Sequence, residues 1–369
     1  MVGVIPVEER WILMLNGKIG TAVIGYGGMG SWHAWKMSEP MGERMQVVGI
    51  YDIDPERRAQ AEKDGFHAFS SREELLADER IDFVVVATPN EVHREISVAA
   101  LEAGKNVMSE KPVTMTLAML DDIIDTANRT GKFFTVHQNR RYDADYLTIK
   151  KIYDEGTLGR VFNLQSRVCG SRGIPSGWRM RKRNGGGMML DWGIHLLDQA
   201  MMIFDDKKLE SVYAQFTYIT HDEVDDGFSV DMRYEGDVTC HLYVGTSNFI
   251  DLPRWYMQGE NGTAVINDWD INGEIVMVSD WENRDSVPVV AGMGITRTMA
   301  PRTEDTIKKY PLPYVENKGF SGENRFYDNL CDVMLGKAEP IVTHAQQRRL
   351  ISTVEAIFES AEKNIVVKF

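Results

Sequence analysis

In Gly185-Gly186-Gly187-Met188-Met189-Leu190-Asp191-Trp192-Gly193-Ile194-His195-Leu196-Leu197-Asp198, the polar residues Asp191, His195 and Asp198 stand at i, i+4 and i+7 of an otherwise apolar segment. A helix places all three on one face. An imidazole takes up or returns a proton near neutral pH, and a neighbouring carboxylate orients it or raises its basicity. The plain structural alternative is a hydrogen-bonded core histidine. A metal site is a further alternative, but one nitrogen ligand among three and no identifiable outer partners weigh against it, so no metal is expected.

A second kind of chemistry is written in Gly25-Tyr26-Gly27-Gly28-Met29-Gly30, a G-x-G-x-x-G turn between an apolar run and a helical pattern. Such a turn lets backbone approach a pyrophosphate, and the helix N-terminus behind it supplies unpaired N–H groups and a positive dipole. The next apolar run ends at Asp52, whose carboxylate can accept hydrogen bonds from the adenosine ribose and would repel a 2′-phosphate. NAD is therefore the expected cofactor. Asp52 lies 27 residues beyond Gly25, an excess over the usual spacing that an inserted turn at Glu39–Arg44 accounts for. Asp52 could instead cap the helix starting at Pro55, although Asp54 is better placed to do so. Two more run ends should reach the same crevice: Thr88-Pro89-Asn90 with His93, and Glu110-Lys111-Pro112. The first also reads as a simple turn and helix cap, whereas the second aims a lysine at a cofactor or substrate.

These residues need a scaffold. Apolar runs at Ile19–Ile24, Met45–Tyr51, Phe83–Ala87, Asn106–Met108 and Phe133–His137 alternate with helical patterns at Met29–Met37, Pro55–Asp64, Glu91–Ala103 and Leu117–Thr130. Continuous rather than alternating hydrophobicity is the mark of strands buried on both faces, so an α/β unit with a parallel sheet is expected. Beyond Arg141 the texture changes. Helices are expected at Ala144–Glu155, near Leu190–Phe204, at Gly322–Leu335 and at His344–Lys363. Strands are expected at Phe162–Val168, Ser211–Ile219, Phe228–Tyr234, Val238–Val244, Trp255–Gln258, Thr263–Asn267 and Ile275–Val278. Turns such as Glu235-Gly236-Asp237 argue that this second sheet is largely antiparallel. Glu282–Lys318 reads as loop. The expected division is 1–140, with an N-terminal extension over 1–18, and 141–369.

Composition narrows the partners. The 369 residues carry 41 Lys and Arg against 55 Asp and Glu, a formal charge of −14, with no block of like charges. Phosphate-backbone binding needs a clustered basic surface, so nucleic acid is not an expected partner. Cys169, Cys240 and Cys331 are too widely spaced for a metal pair or a disulfide framework, and no run is long enough to span a bilayer. A cytoplasmic setting without membrane association is expected.

In order along the chain, the glycine turn, Thr88-Pro89-Asn90 with His93, Glu110-Lys111-Pro112, Asn139-Arg140-Arg141-Tyr142 and the glycine-rich segment ending in His195 and Asp198 resemble the motifs of the glucose–fructose oxidoreductase / inositol dehydrogenase (Gfo/Idh/MocA) family. The resemblance extends over nearly the whole chain. It implies a Rossmann domain joined to a C-terminal α+β domain with an open, mainly antiparallel sheet, and a nicotinamide at their interface. Lys111, Asp191 and His195 are then the catalytic group, with His195 the base, Asp191 its partner and hydroxyl anchor, and Lys111 the cation; the His195 and Lys111 roles could be exchanged. Gly25, Tyr26, Gly27, Gly28, Met29, Gly30, Asp52, Thr88, Pro89, Asn90, His93, Glu110, Lys111 and Asn139 are the expected cofactor contacts. Lys111, Tyr142, Trp178, Arg179, Asp191 and His195 are the expected substrate contacts. The implied activity is NAD-dependent oxidation of a secondary hydroxyl on a sugar, glycoside or inositol-like polyol. The alternative is glycoside cleavage by oxidation, elimination and reduction with NAD retained. A homodimer or homotetramer is implied as well.

Overall fold

The computed structural model describes residues 14–279, 290–292, 295–297, 302, 304–315 and 320–369. Its first half is a five-stranded parallel sheet of β1 (Ile19–Ile24), β2 (Met45–Tyr51), β3 (Phe83–Val86), β4 (Asn106–Ser109) and β5 (Phe134–Val136), in the order β2-β1-β3-β4-β5. Helices α1 (Gly28–Ser38), α2 (Pro55–Lys63), α3 (Arg72–Ala77), α4 (His93–Glu102) and α5 (Leu117–Thr130) connect and cover the strands. Every residue of β1, β3, β4 and β5 is buried, which is why these runs are mainly apolar and carry only small or hydrogen-bonded polar residues such as Thr21, Asn106 and Ser109. The strand order reverses on either side of β1. That switch point opens a crevice beyond the carboxyl ends of the strands, between the turn before α1 and the loop after β3.

The second half holds α6 (Ala144–Asp154), β6 (Val161–Cys169), α7 (Ile194–Ile203), β7 (Leu209–Thr217), β8 (Gly227–Tyr234), β9 (Val238–Gly245), β10 (Trp255–Gly259), β11 (Gly262–Ile266) and β12 (Gly273–Val278). A small hairpin of β13 (Val290–Gly292) and β14 (Ile295–Arg297) precedes β15 (Ile307–Tyr310), α8 (Phe320–Met334), α9 (His344–Lys363) and β16 (Val367–Lys368). The nine-stranded sheet runs β15-β12-β11-β10-β6-β9-β8-β7-β16 and is antiparallel except between β6 and β9. One face of β7 and β8 is buried while alternate residues are exposed, the pattern of a sheet covered on one side. Helix α9 packs on both β7 and α5, so the last long helix of the chain bridges the two halves.

Most expected elements agree with the structure to within a few residues, and the starts and ends of α5 and α9 agree fully. Thr116 and Thr343 cap those two helices through their side chains, which explains their legibility. One expected element needs correction. The loop expected over Glu282–Lys318 contains β13, β14 and β15, the last an edge strand whose Lys308 and Lys309 are exposed and break the apolar pattern. Helix α3, too short for a clear period, was not anticipated, nor was β16. Of the extension expected at 1–18, residues 1–13 lie outside the described residues, and Leu15 and Lys18 pair as a turn leading into β1.

Candidate active site

The glycine turn is built as its spacing demands. Gly25 adopts φ +95°, and a Cβ there would lie 2.5 Å from the Ala87 carbonyl oxygen, so only glycine permits this approach of β1 to the loop after β3. A Cβ on Gly30 would fall 1.8 Å from the Gly25 carbonyl oxygen, which seats α1 against the turn. Gly27 and Gly28 instead face open space at the start of α1, where a pyrophosphate can approach backbone N–H groups. Asp52, at the end of β2, accepts the Tyr26 N–H at 2.6 Å and the Asp54 N–H at 2.8 Å. Asp54 itself caps α2 by accepting the Glu56 N–H, so the capping role left open for Asp52 belongs to its neighbour.

One cavity of about 1040 Å³ runs from this turn to the interface of the two sheets. Its walls include Gly25, Gly27, Gly28, Met29 and Asp52 at one end and Lys111, Asn139, Trp178, Arg179, Asp191 and His195 at the other, with Thr88, Pro89, Asn90 and Glu110 between. Four expected contacts stand elsewhere. The Tyr26 ring is buried and donates its hydroxyl to Asp64 at 2.8 Å, leaving only backbone near the turn. Gly30 lies beneath the turn, its space taken by packing. His93 is wholly buried, with its ring nitrogens at 2.8 Å and 3.0 Å from the carbonyl oxygens of Thr88 and Pro112, and so ties two cavity loops together without lining the cavity. Tyr142 packs against the core outside the cavity wall.

At the interface end, Lys111 extends from the carboxyl end of β4 and its Nζ donates to Asp191 Oδ1 at 3.1 Å and to the Asp191 carbonyl at 3.2 Å. Arg179 Nε donates to the other carboxylate oxygen at 3.2 Å. Burial raises the proton affinity of Asp191, but the Lys111 and Arg179 cations outweigh it and hold the carboxyl below its usual range. Asp191 is thus an ionised clamp between cations and makes no hydrogen bond to His195, contrary to the pairing expected from i, i+4 spacing. The reason is a π-turn over Met189–Gly193, which widens the helix just where α7 begins and takes Asp191 out of line with His195.

His195 is 5% exposed and lines the cavity. Burial, reinforced by the Lys111 ammonium and the Arg140 guanidinium, holds its imidazole well below the usual value, so it is neutral at pH 7. Its Nδ1 is buried without a hydrogen-bond partner among the described residues. Asp198, expected on the same face, points away and accepts Arg141 Nε and Nη2 at 2.7 Å each, a buried bidentate pair. Arg141 also donates to the Ile341 carbonyl, joining the segment after β5 to α7 and to the approach of α9. Asp198→Ala should therefore cost about 3–5 kcal/mol of unfolding free energy by stranding a buried guanidinium. A lowered urea midpoint, with NAD affinity retained in the folded fraction, is the expected reading.

Sequence reasoning missed several residues. Arg140 and Trp192 line the cavity, with the guanidinium 4.2 Å from the centre of the Trp192 ring, although both fall inside segments already singled out. Periodicity carries no signal for such a stack. His33 and His137 were missed as well, and both contact Glu110.

Residues 19–138 match the family profile described as oxidoreductase family, NAD-binding Rossmann fold, and residues 146–265 match the GFO/IDH/MocA C-terminal domain. The chain belongs to the GFO/IDH/MocA oxidoreductase family. A crystal structure of an NAD-binding protein from Listeria innocua is similar at 43% identity, with a TM-score of 0.84, over 95% of this chain and 97% of that one. An uncharacterized oxidoreductase of Schizosaccharomyces pombe is 32% identical over 66% of this chain and 69% of its own. The scyllo-inositol 2-dehydrogenase (NADP(+)) IolW of Bacillus subtilis is 26% identical over 95% of this chain and 98% of its own. The first half of the present GFO/IDH/MocA chain is accordingly an NAD-binding Rossmann domain, and its turn geometry, open over Gly27 and Gly28 with a carboxylate at Asp52, fits that cofactor.

Proposed function

We propose that this chain is an NAD(H)-dependent dehydrogenase acting on a secondary hydroxyl of a sugar, glycoside or inositol-like polyol. The observation that carries the reading is the convergence of Lys111, Asp191 and His195 at one end of the cavity whose other end is the dinucleotide turn. Lys111 and Glu110 come from the parallel sheet, whereas Asp191 and His195 come from the second half. The similarity to IolW over almost the full chain supports a polyol or sugar as substrate.

Bound NAD supplies a hydride acceptor. Neutral His195 takes the hydroxyl proton as the alcohol is oxidised, which requires an unprotonated base beside the oxygen. The Lys111 ammonium, fixed by Asp191, stabilises the alkoxide character that develops there. Asp191 holds Lys111 and Arg179 in place and offers an oxygen to a substrate hydroxyl. Trp178 and Arg179 form the wall beside the reacting end and present an apolar ring and polar donors to the sugar.

The test is incubation of the purified protein and NAD with inositols, free sugars and glycosides, following absorbance of reduced nicotinamide and identifying products. A ketosugar or inosose formed with NADH supports the reading; no turnover of any alcohol overturns it. Release of an aglycone without net NADH would instead assign the cleavage reaction.

The carboxylate of Asp52 favours NAD over NADP, a preference that IolW, by its name, does not share. Asp52→Ser is expected to raise the NADP/NAD ratio of kcat/KM by about tenfold, equivalent to roughly 1.4 kcal/mol of relieved repulsion. Steady-state kinetics with both cofactors measures it. We also assign the domains to 1–140 and 141–369, the setting to the cytoplasm and the assembly to a homodimer or homotetramer. The three cysteines are free, no helix among the described residues is long and apolar enough to cross a membrane, and the antiparallel sheet leaves one face uncovered.

A further inference from the structure

Behind Lys111 lies a buried polar cluster drawn from four elements. Glu110, at the end of β4, is 5% exposed. Its Oε1 lies 2.8 Å from His33 Nε2 on α1 and 2.9 Å from His137 Nδ1 after β5, and its Oε2 accepts the Lys111 backbone N–H at 3.0 Å. His33 Nδ1 contacts the hydroxyl of Tyr327 on α8. These contacts define the protons. With Nε2–H of His33 directed at the carboxylate, Nδ1 is left to accept the tyrosine O–H. The Nε2 of His137 is buried without a hydrogen-bond partner among the described residues. The His33 imidazole is neutral, as its burial favours. Glu110 is ionised: burial opposes its charge, but His137 and His33 hold it well below the usual carboxylate range.

We propose that His33, Glu110, His137 and Tyr327 are a positioning set that holds one fixed negative charge behind the Lys111 backbone and so governs how His195 carries its proton. This rests on the reading of Lys111 and His195 as the groups that act on the substrate hydroxyl. The charged groups around His195 are Lys111, Asp191, Arg179, Arg140 and Glu110, all at the cavity wall, with the His137 ring behind Glu110. The cations Lys111 and Arg140 lower the proton affinity of His195, and Glu110 opposes them. Because Tyr327 belongs to the second half of the chain, the set also fixes the approach of α8 to α1. The ligand-type atoms of His33, Glu110 and His137 lie within 4.8 Å of one another, so a bound metal ion is the competing occupant.

The test is Glu110→Gln in the full chain, assayed for NAD affinity by fluorescence, for kcat and KM, and across pH. Loss of the negative charge disfavours the protonated form of His195. The acid limb of the kcat/KM profile should therefore move to lower pH by about half a unit or more, with kcat reduced at least about tenfold and the NAD Kd within about threefold. Glu110→Asp, which keeps the charge, should return the limb to its original position even if kcat stays low. Should Glu110→Gln not fold, His137→Leu serves: without one of the two donors that keep Glu110 ionised, burial favours its neutral form, and the limb should again move to lower pH. An acid limb that stays in place in a folded variant overturns the proposal, as does a stoichiometric metal ion in the purified wild-type protein that Glu110→Gln loses. Failure of the underlying reading is distinct, because it appears as full turnover in a Lys111 variant whatever Glu110 does.

Discussion

Lys111→Met is expected to lower kcat by about a thousandfold while leaving the Kd for NAD within about threefold. Lys111 reaches the interface end of the cavity, away from the glycine turn that carries the pyrophosphate contacts, so cofactor affinity has little dependence on it. Its ammonium is held 3.1 Å from Asp191 in a site where both side chains are largely shielded from water. A preorganised cation in such surroundings stabilises developing negative charge far more than one in bulk water. Methionine fills much of the same volume without the charge. The variant also frees Asp191, leaving Arg179 as its remaining ion-pair partner among the described residues. Single-turnover NADH formation together with fluorescence titration of NAD measures both quantities. Normal turnover in a variant that binds NAD would remove Lys111 from the chemistry.

His195→Asn is expected to lower kcat by about 10²–10⁴-fold, the range for loss of a general base. The accompanying pH profile carries the sharper information. A base works in its unprotonated form, and burial together with the Lys111 and Arg140 charges pushes the His195 imidazole well down. In the direction of alcohol oxidation, kcat/KM of the wild-type protein should therefore hold steady as pH falls from 7 past the ordinary imidazole value of about 6.5, and decline only below it. Removal of the imidazole should abolish that acid limb. A limb at or above the ordinary value would mean that His195 is not the group titrating. An unchanged profile in His195→Asn would give the base role to Lys111.

The legible part of this protein is the local part. Continuous burial makes β1, β3, β4 and β5 mainly apolar, without the polar alternation of a half-exposed strand, and side-chain caps mark where α5 and α9 begin. The glycine turn was legible because each demand on it arises within a few residues or from one neighbouring strand. Strand β15 was not, because an edge strand satisfies one partner only and can carry lysines facing water. The helical face proposed for Asp191, His195 and Asp198 failed for a related reason. Spacing assumes regular helix geometry, and a π-turn is a departure that residue types alone do not announce.

From the order of residues come the two kinds of sheet, the dinucleotide turn with Asp52, and the placing of Lys111 at a strand end and His195 on a helix, since these follow from short-range sterics and hydrophobic period. Tertiary structure alone decided the partners. It joined Lys111 to Asp191 across 80 positions of chain, gave Asp198 to Arg141, and brought Tyr327 to His33 across 294 positions behind Glu110. Hydrogen bonds and charges act over a few ångströms of space, and distance along the chain does not determine which groups packing will bring that close.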